Sequence, residues 1–235
     1  FIPKNFPTDD ELNDDIERKV IWVSEENFPF SKKIIEEYGF TYKTGWYFQQ
    51  LIKLYAVNVI PNILENVLVV DADTIFLNSV NFFEKSIPLY SYGEEYFEPY
   101  FDHMKEVLPD LEKMDLKKSG ICHHMVFQKH IINDLFYRVE QLHKEPFWRV
   151  FLDKADPNLA SGCGASEYEM YFNFVLKHYP YLIKVRKLRV KLFYRNLGDI
   201  FLLKELGFVY ACIHNYSRDP IDTFDNCSKE IIGIK

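Results

Sequence analysis

Val67-Leu68-Val69-Val70 runs without a polar break into Asp71-Ala72-Asp73. Four apolar residues in a row, the last two β-branched, read as a strand buried on both faces in a parallel sheet. Residues two apart on an extended chain project from one face, so Asp71 and Asp73 aim at one place at the carboxyl end of that strand. Open α/β sheets take their ligands there. Two close carboxylates repel unless a cation sits between them, and acids inside a buried sheet are costly without a partner. Hard oxygen ligands suit Mg²⁺ or Mn²⁺, and such an ion can bridge two phosphates and stabilise a diphosphate as it leaves. The plain alternative is a pair of turn or cap aspartates, since Asp is common in loops. The largely apolar Thr74-Ile75-Phe76-Leu77 that follows, itself read as a short strand, favours the site.

Helices and strands alternate around this segment. Residues 1–19 are polar and acidic and read as an arm, and Val20-Ile21-Trp22-Val23-Ser24 as a short buried strand. Ser31 starts a short helix that Gly39 ends. A helix from Trp46 to Val59 carries Tyr47, Leu51, Leu54, Tyr55 and Val59 at helical spacing, and Pro61 stops it. Residues 88–91 read as a strand, 96–117 as helix broken by Pro99 and Pro109, and 121–127 as a strand. An amphipathic helix covers 129–143 and a short one 146–153. After a loop with Gly162 and Gly164, Ser166 caps a helix to His178, with Glu169 completing a capping box. Strands follow near 181–194 and 208–213, then an irregular tail over 215–235. The alternation points to an α/β class, and no linker divides the chain, so residues 1–235 read as one domain.

With 235 residues, 48% of them apolar, the chain can bury one sizeable core. Its 21 Phe and 16 Tyr fill that core, with some Tyr and Trp left to stack on a sugar or a base. A net charge of −7 argues against a nucleic-acid face. One basic stretch stands out: Lys184, Arg186, Lys187, Arg189, Lys191 and Arg195. It reads as a solvated face, or as a surface for a diphosphate or an anionic membrane. No apolar run reaches the roughly 18 residues a transmembrane helix needs. Cys122, Cys163, Cys212 and Cys227 form no CxxC pair, so free thiols in a reducing, cytoplasmic setting are expected.

The strand with its Asp71-Ala72-Asp73-Thr74 end, preceded by Gly45-Trp46-Tyr47-Phe48-Gln49-Gln50-Leu51-Ile52-Lys53-Leu54, resembles glycogenin-like glycosyltransferases of the GT-A type. With Ser119-Gly120-Ile121-Cys122-His123-His124 and Ser166-Glu167-Tyr168-Glu169 added, the chain is similar to a family of GT-A-like proteins found in viruses and microbes. The resemblance spans residues 20 to 217. It implies a GT-A fold, a mixed and mostly parallel sheet flanked by helices. The strand-helix-strand unit that opens such domains is not found before Val20, so it lies upstream of Phe1 or is reduced to residues 1–8.

The function implied is transfer of a sugar from a nucleotide-sugar donor, a UDP- or GDP-sugar, to a hydroxyl of a glycan or other acceptor. By resemblance, Asp71, Ala72 and Asp73 meet the donor, Lys53 its phosphates, and His214 completes a Mn²⁺ or Mg²⁺ site with Asp71 and Asp73. Gln49 and Gln50 are candidates for sugar hydroxyls, one of them facing solvent. His123 and His124 point to opposite faces of a strand, so at most one reaches the acceptor. Glu167, with Glu169 second, is the candidate for activating the acceptor hydroxyl, although an acid in a first helical turn is also explained by the helix dipole. Two rival functions use the same residues: a metal-dependent nucleotidyl- or phosphoryl-group enzyme, and a non-catalytic GT-A-like binding module. The absence of GxxxxGK[ST] and GxGxxG counts against the first rival.

Overall fold

In a computed structural model of the chain, residues 22–159, 162–191 and 197–212 are described. They form a mixed α/β fold of seven α-helices and three small sheets.

Helix α1, Lys32–Glu37, is capped by the Ser31 hydroxyl, which accepts from the Ile34 N–H at 3.3 Å. Gly39, at φ +96°, takes the left-handed turn that follows. Helix α2, Thr44–Val59, buries Tyr47, Phe48, Leu51, Leu54 and Tyr55. Ile60 is extended before Pro61, as the proline ring requires. Helix α3, Glu98–Val107, is shorter than expected: Pro99 sits in its first turn, where a proline is tolerated, and the helix stops before Pro109. Helices α4, Lys129–His143, and α5, Phe147–Asp153, fall where their periodicity placed them. Helix α6, Glu167–His178, is buried at every position from Glu167 to Val175, so it runs through the core rather than over it. Helix α7 is Leu197–Glu205.

Strand β1, Asn66–Val70, pairs antiparallel with β5, His124–Gln128. Strand β2, Thr74–Phe76, pairs antiparallel with β8, Tyr210–Cys212, which is parallel to β7, Val190–Lys191. Strand β4, Ile87–Ser91, lies between β3, Phe83–Glu84, and the parallel β6, Lys184–Arg186.

Three expectations need correction. The sheet is not mostly parallel among the described residues, and β1 has no parallel partner there. Nor is β1 sealed on both faces, since Leu68 and Val70 are 39% and 38% exposed. An apolar run records low polarity but not which neighbour covers it. Trp22-Val23-Ser24 is not a strand: Ser24 caps a 3₁₀ turn at Glu25–Asn27 through its hydroxyl. Val20 and Ile21 lie outside the described residues.

The main core is aromatic, with Phe30, Phe48, Tyr55, Phe136 and Phe147 packed among α2, α4 and α5. A second, small cluster joins Leu77, Leu203 and Ala211 beneath α7. Cys122 and Cys212 are free thiols, and no helix among the described residues is long and apolar enough to cross a membrane.

Candidate metal centre at the end of strand β1

The antiparallel register of β1 and β5 builds the site. Val70 stands opposite His124, and the ladder continues one step further, the Asp71 N–H donating to the His123 carbonyl at 2.8 Å. The end of β1 therefore meets the start of β5, and Asp71 meets His123. The His123 Nδ1 lies 3.2 Å from Asp71 Oδ2. His123 holds a left-handed backbone, φ +57°, an unfavourable state for a residue with a Cβ.

Asp71 and Asp73 converge for a reason different from the extended geometry expected. The chain turns at Asp71, with the Thr74 N–H donating to the Asp71 carbonyl at 3.0 Å, and β2 then enters another sheet. Both carboxylates still reach one place. With His123, they bring three potential ligand atoms within 4.8 Å of one another. Ala72 is exposed at the tip of the turn.

Helices α2 and α6 close the inner side. Lys53 Nζ lies 2.5 Å from Asp71 Oδ1 and 2.7 Å from Glu167 Oε1. The same ammonium rests over the Tyr168 ring at 4.3 Å, and the Tyr168 hydroxyl donates to Asp71 Oδ1 at 2.9 Å. Gln50, one turn before Lys53, accepts from the Glu167 N–H at 2.9 Å, which satisfies a donor that the first turn of α6 leaves open. Gln50 is buried, and its Nε2 has no hydrogen-bond partner among the described residues. Gln49 is half-buried and outside this network.

Burial alone would raise the Asp71 carboxyl, but the His123 hydrogen bond and the Lys53 ammonium outweigh it and hold Asp71 well below the usual carboxylate range. Burial would lower Lys53, yet Glu167 and Asp71 together raise it, so it stays charged. Burial and the neighbouring Asp71 charge lift the Tyr168 hydroxyl well above its ordinary value, which keeps it a donor. Asp73 forms no hydrogen bond or ion pair among the described residues and is half-exposed. Among the described residues, three carboxylates thus gather here with one ammonium, an excess of two formal negative charges. A divalent cation fits that excess, and the imidazole in the set suits Mn²⁺ better than Mg²⁺.

The other expected site residues divide. His123 and His124 have different surroundings, but not through strand alternation: His123 precedes β5 in a left-handed turn. His123 joins the carboxylates, while His124 Nε2 meets the Ser91 hydroxyl at 3.2 Å among the rings of Phe76, Phe82 and Tyr210. Burial pushes His124 down to about 4, so it is a neutral core residue at neutral pH. Glu169 faces away from the metal cluster, accepting from the Ser119 hydroxyl at 2.5 Å and from Asn173 Nδ2 at 3.0 Å, with Lys113 Nζ at 3.7 Å. His214 lies outside the described residues. Sequence reasoning missed His123 as a companion of the aspartates and Tyr168 as a donor to Asp71. An antiparallel reading of the 67–70 and 124–128 segments would have found the first.

No protein-family model matches the chain, and no curated protein does.

Proposed function

We propose that the chain is a metal-dependent glycosyltransferase of the GT-A type, moving a sugar from a nucleotide-sugar donor to a hydroxyl acceptor. The observation that carries this reading is the convergence of Asp71, Asp73 and His123 at the end of β1, with more carboxylate charge than Lys53 neutralises. Asp73 and the outer face of Asp71, with His123 beside them, would hold Mn²⁺. A bound divalent ion supplies charge to offset the leaving diphosphate.

The chain's own residues prepare the rest. Lys53 and Tyr168 fix Asp71 Oδ1, so the carboxylate presents one orientation. Glu167 is anchored through Oε1 to Lys53, and its Oε2 makes no hydrogen bond among the described residues. That oxygen is the acceptor of choice for a proton from the incoming hydroxyl. Glu169 has both oxygens engaged and supports the wall of the site instead.

One observation favours the rival binding module: Lys53 already serves Asp71 and Glu167 as an internal cation. Thermal melting against a panel of UDP- and GDP-sugars, with and without Mn²⁺, tests the metal-dependent donor site that the glycosyltransferase reading requires. A ligand that binds the folded state alone raises the melting temperature by mass action. The glycosyltransferase reading expects a Mn²⁺-dependent rise with a particular donor that Asp73→Asn abolishes. An Asp73→Asn protein that keeps the rise would remove the metal assignment.

A further inference from the structure

The basic stretch at 184–191 holds a cation that the Asp71 cluster does not use. Lys184 pairs with Glu84 at 2.8 Å, Lys187 pairs with Glu94, and Arg189 Nη1 donates to the Leu206 carbonyl at 2.6 Å. Arg186 differs. Its Nε and Nη2 are shielded from solvent and meet no hydrogen-bond acceptor among the described residues. Burial with no opposing charge lowers its guanidinium from the ordinary value. Shielded donors are nearly always paired, and a shielded charge without a partner is costly. Arg186 as a whole is only half-buried, so part of its side chain stays accessible.

Topology places this cation near the candidate metal centre. In the parallel β4–β6 pair, Arg186 is the register partner of Ser91. The Ser91 hydroxyl meets His124, which feels the charges of both Arg186 and Asp71. His124 is in turn the neighbour of His123. A guanidinium fork matches two oxygens of a phosphate, and an anion there would supply the missing counter-charge.

We propose that Arg186 anchors an oxyanion site for a phosphoryl group, set beside the Asp71–Asp73–His123 cluster. The site stands on Arg186 itself and rests on the glycosyltransferase reading only for the source of the phosphate. That source is the donor's diphosphate or a phosphate carried by a second ligand.

Calorimetric binding of inorganic pyrophosphate to the full chain, at low ionic strength and in EDTA, tests it. Arg186→Gln should weaken binding at least about tenfold, Arg186→Lys less, and the neighbouring Lys187→Gln by no more than about twofold. Because the charge removed has no internal partner among the described residues, Arg186→Gln without anion should melt at the wild-type temperature or about 2–4 °C above it. Equal affinity in Arg186→Gln and wild type overturns the proposal. So does an equal loss in Lys187→Gln, which would mean a diffuse charge effect, or a lower melting temperature for Arg186→Gln, which would mean an internal partner. Repeating the titration with Mn²⁺ names the source. Tightening that needs Arg186 assigns the donor's diphosphate, tightening independent of Arg186 assigns a separate phosphate, and both uphold the anion site. Failure of the metal-dependent sugar binding leaves the EDTA result unchanged, so the two readings fail separately.

Discussion

Glu167 and Glu169 begin the same helix and are almost equally sealed, at 4% and 1% exposed, yet they belong to opposite kinds of site. Glu167 shares Lys53 with Asp71, next to a half-exposed Asp73 that has no partner among the described residues. Glu169 is enclosed by Ser119, Asn173 and Lys113, and every oxygen it has is used. The first cluster holds Asp71 ionised and gathers more carboxylates than ammonium groups. In the second, burial raises the Glu169 carboxyl and the hydrogen bonds only partly oppose it. Burial of an acid therefore does not identify a functional site. The balance between charge and available donors separates an open cluster from a clamp.

The largest test removes the shared cation. Lys53→Met leaves Asp71 and Glu167 buried without their counter-charge, and should lower stability by about 3–5 kcal/mol in denaturant melts. Mn²⁺ should restore part of that loss. Lys113→Met in the clamp should lose less and gain nothing from Mn²⁺, and equal rescue of both variants would break the comparison. A smaller effect comes from Gly120, whose lack of a Cβ lets the Ser119 loop close on α6. A Cβ there would lie 2.5 Å from both Phe172 Cβ and the Tyr168 carbonyl. Gly120→Ala should therefore cost about 1–3 kcal/mol by urea unfolding.

The pH dependence should differ in sign between the clusters. The Asp71 carboxyl is depressed on folding, so its contribution is present above the ordinary Asp value and is lost as pH falls below it. The Glu169 carboxyl is raised, so the folded state holds its proton longer, and its contribution declines as pH rises above the ordinary Glu value. In EDTA, Asp71→Asn should therefore flatten the acid side of a stability–pH curve. Glu169→Gln should flatten the stretch just above the ordinary Glu value. The same sign of change in both would refute the distinction. The smallest expected effect is on stability in Asp73→Asn, within about 0.5 kcal/mol of wild type with metal chelated. A large loss would show that Asp73 has a structural partner.

The elements were legible where the signal is local. Ser31 and Ser166 announce helix starts because a hydroxyl satisfies the first open N–H groups, and both make that bond here. The capping box at Ser166 is only half made, since the Glu169 carboxylate goes to Ser119 and Asn173. Pro61 and the 3.6-residue spacing of Tyr47, Leu51 and Leu54 set α2, and with it the position of Gln50 and Lys53. The apolar run before Asp71 marked strand β1, and with it the place of the candidate site at its carboxyl end.

What those acids meet was decided at long range. Lys53 and Glu167 are 114 residues apart in the chain, and Asp71 and Tyr168 are 97 apart. No local pattern records such a pairing. The antiparallel register of β1 against β5 brings His123 to Asp71, and the turn at 71–74 brings Asp73 round. By itself the sequence determined where helices α1, α2, α4, α5 and α6 form, because caps, prolines and apolar spacing act over a single turn. Only the tertiary structure decided that Glu167 shares a cation with Asp71 while Glu169 is enclosed, because a carboxylate's state depends on the donors and charges that distant segments bring within a few ångströms.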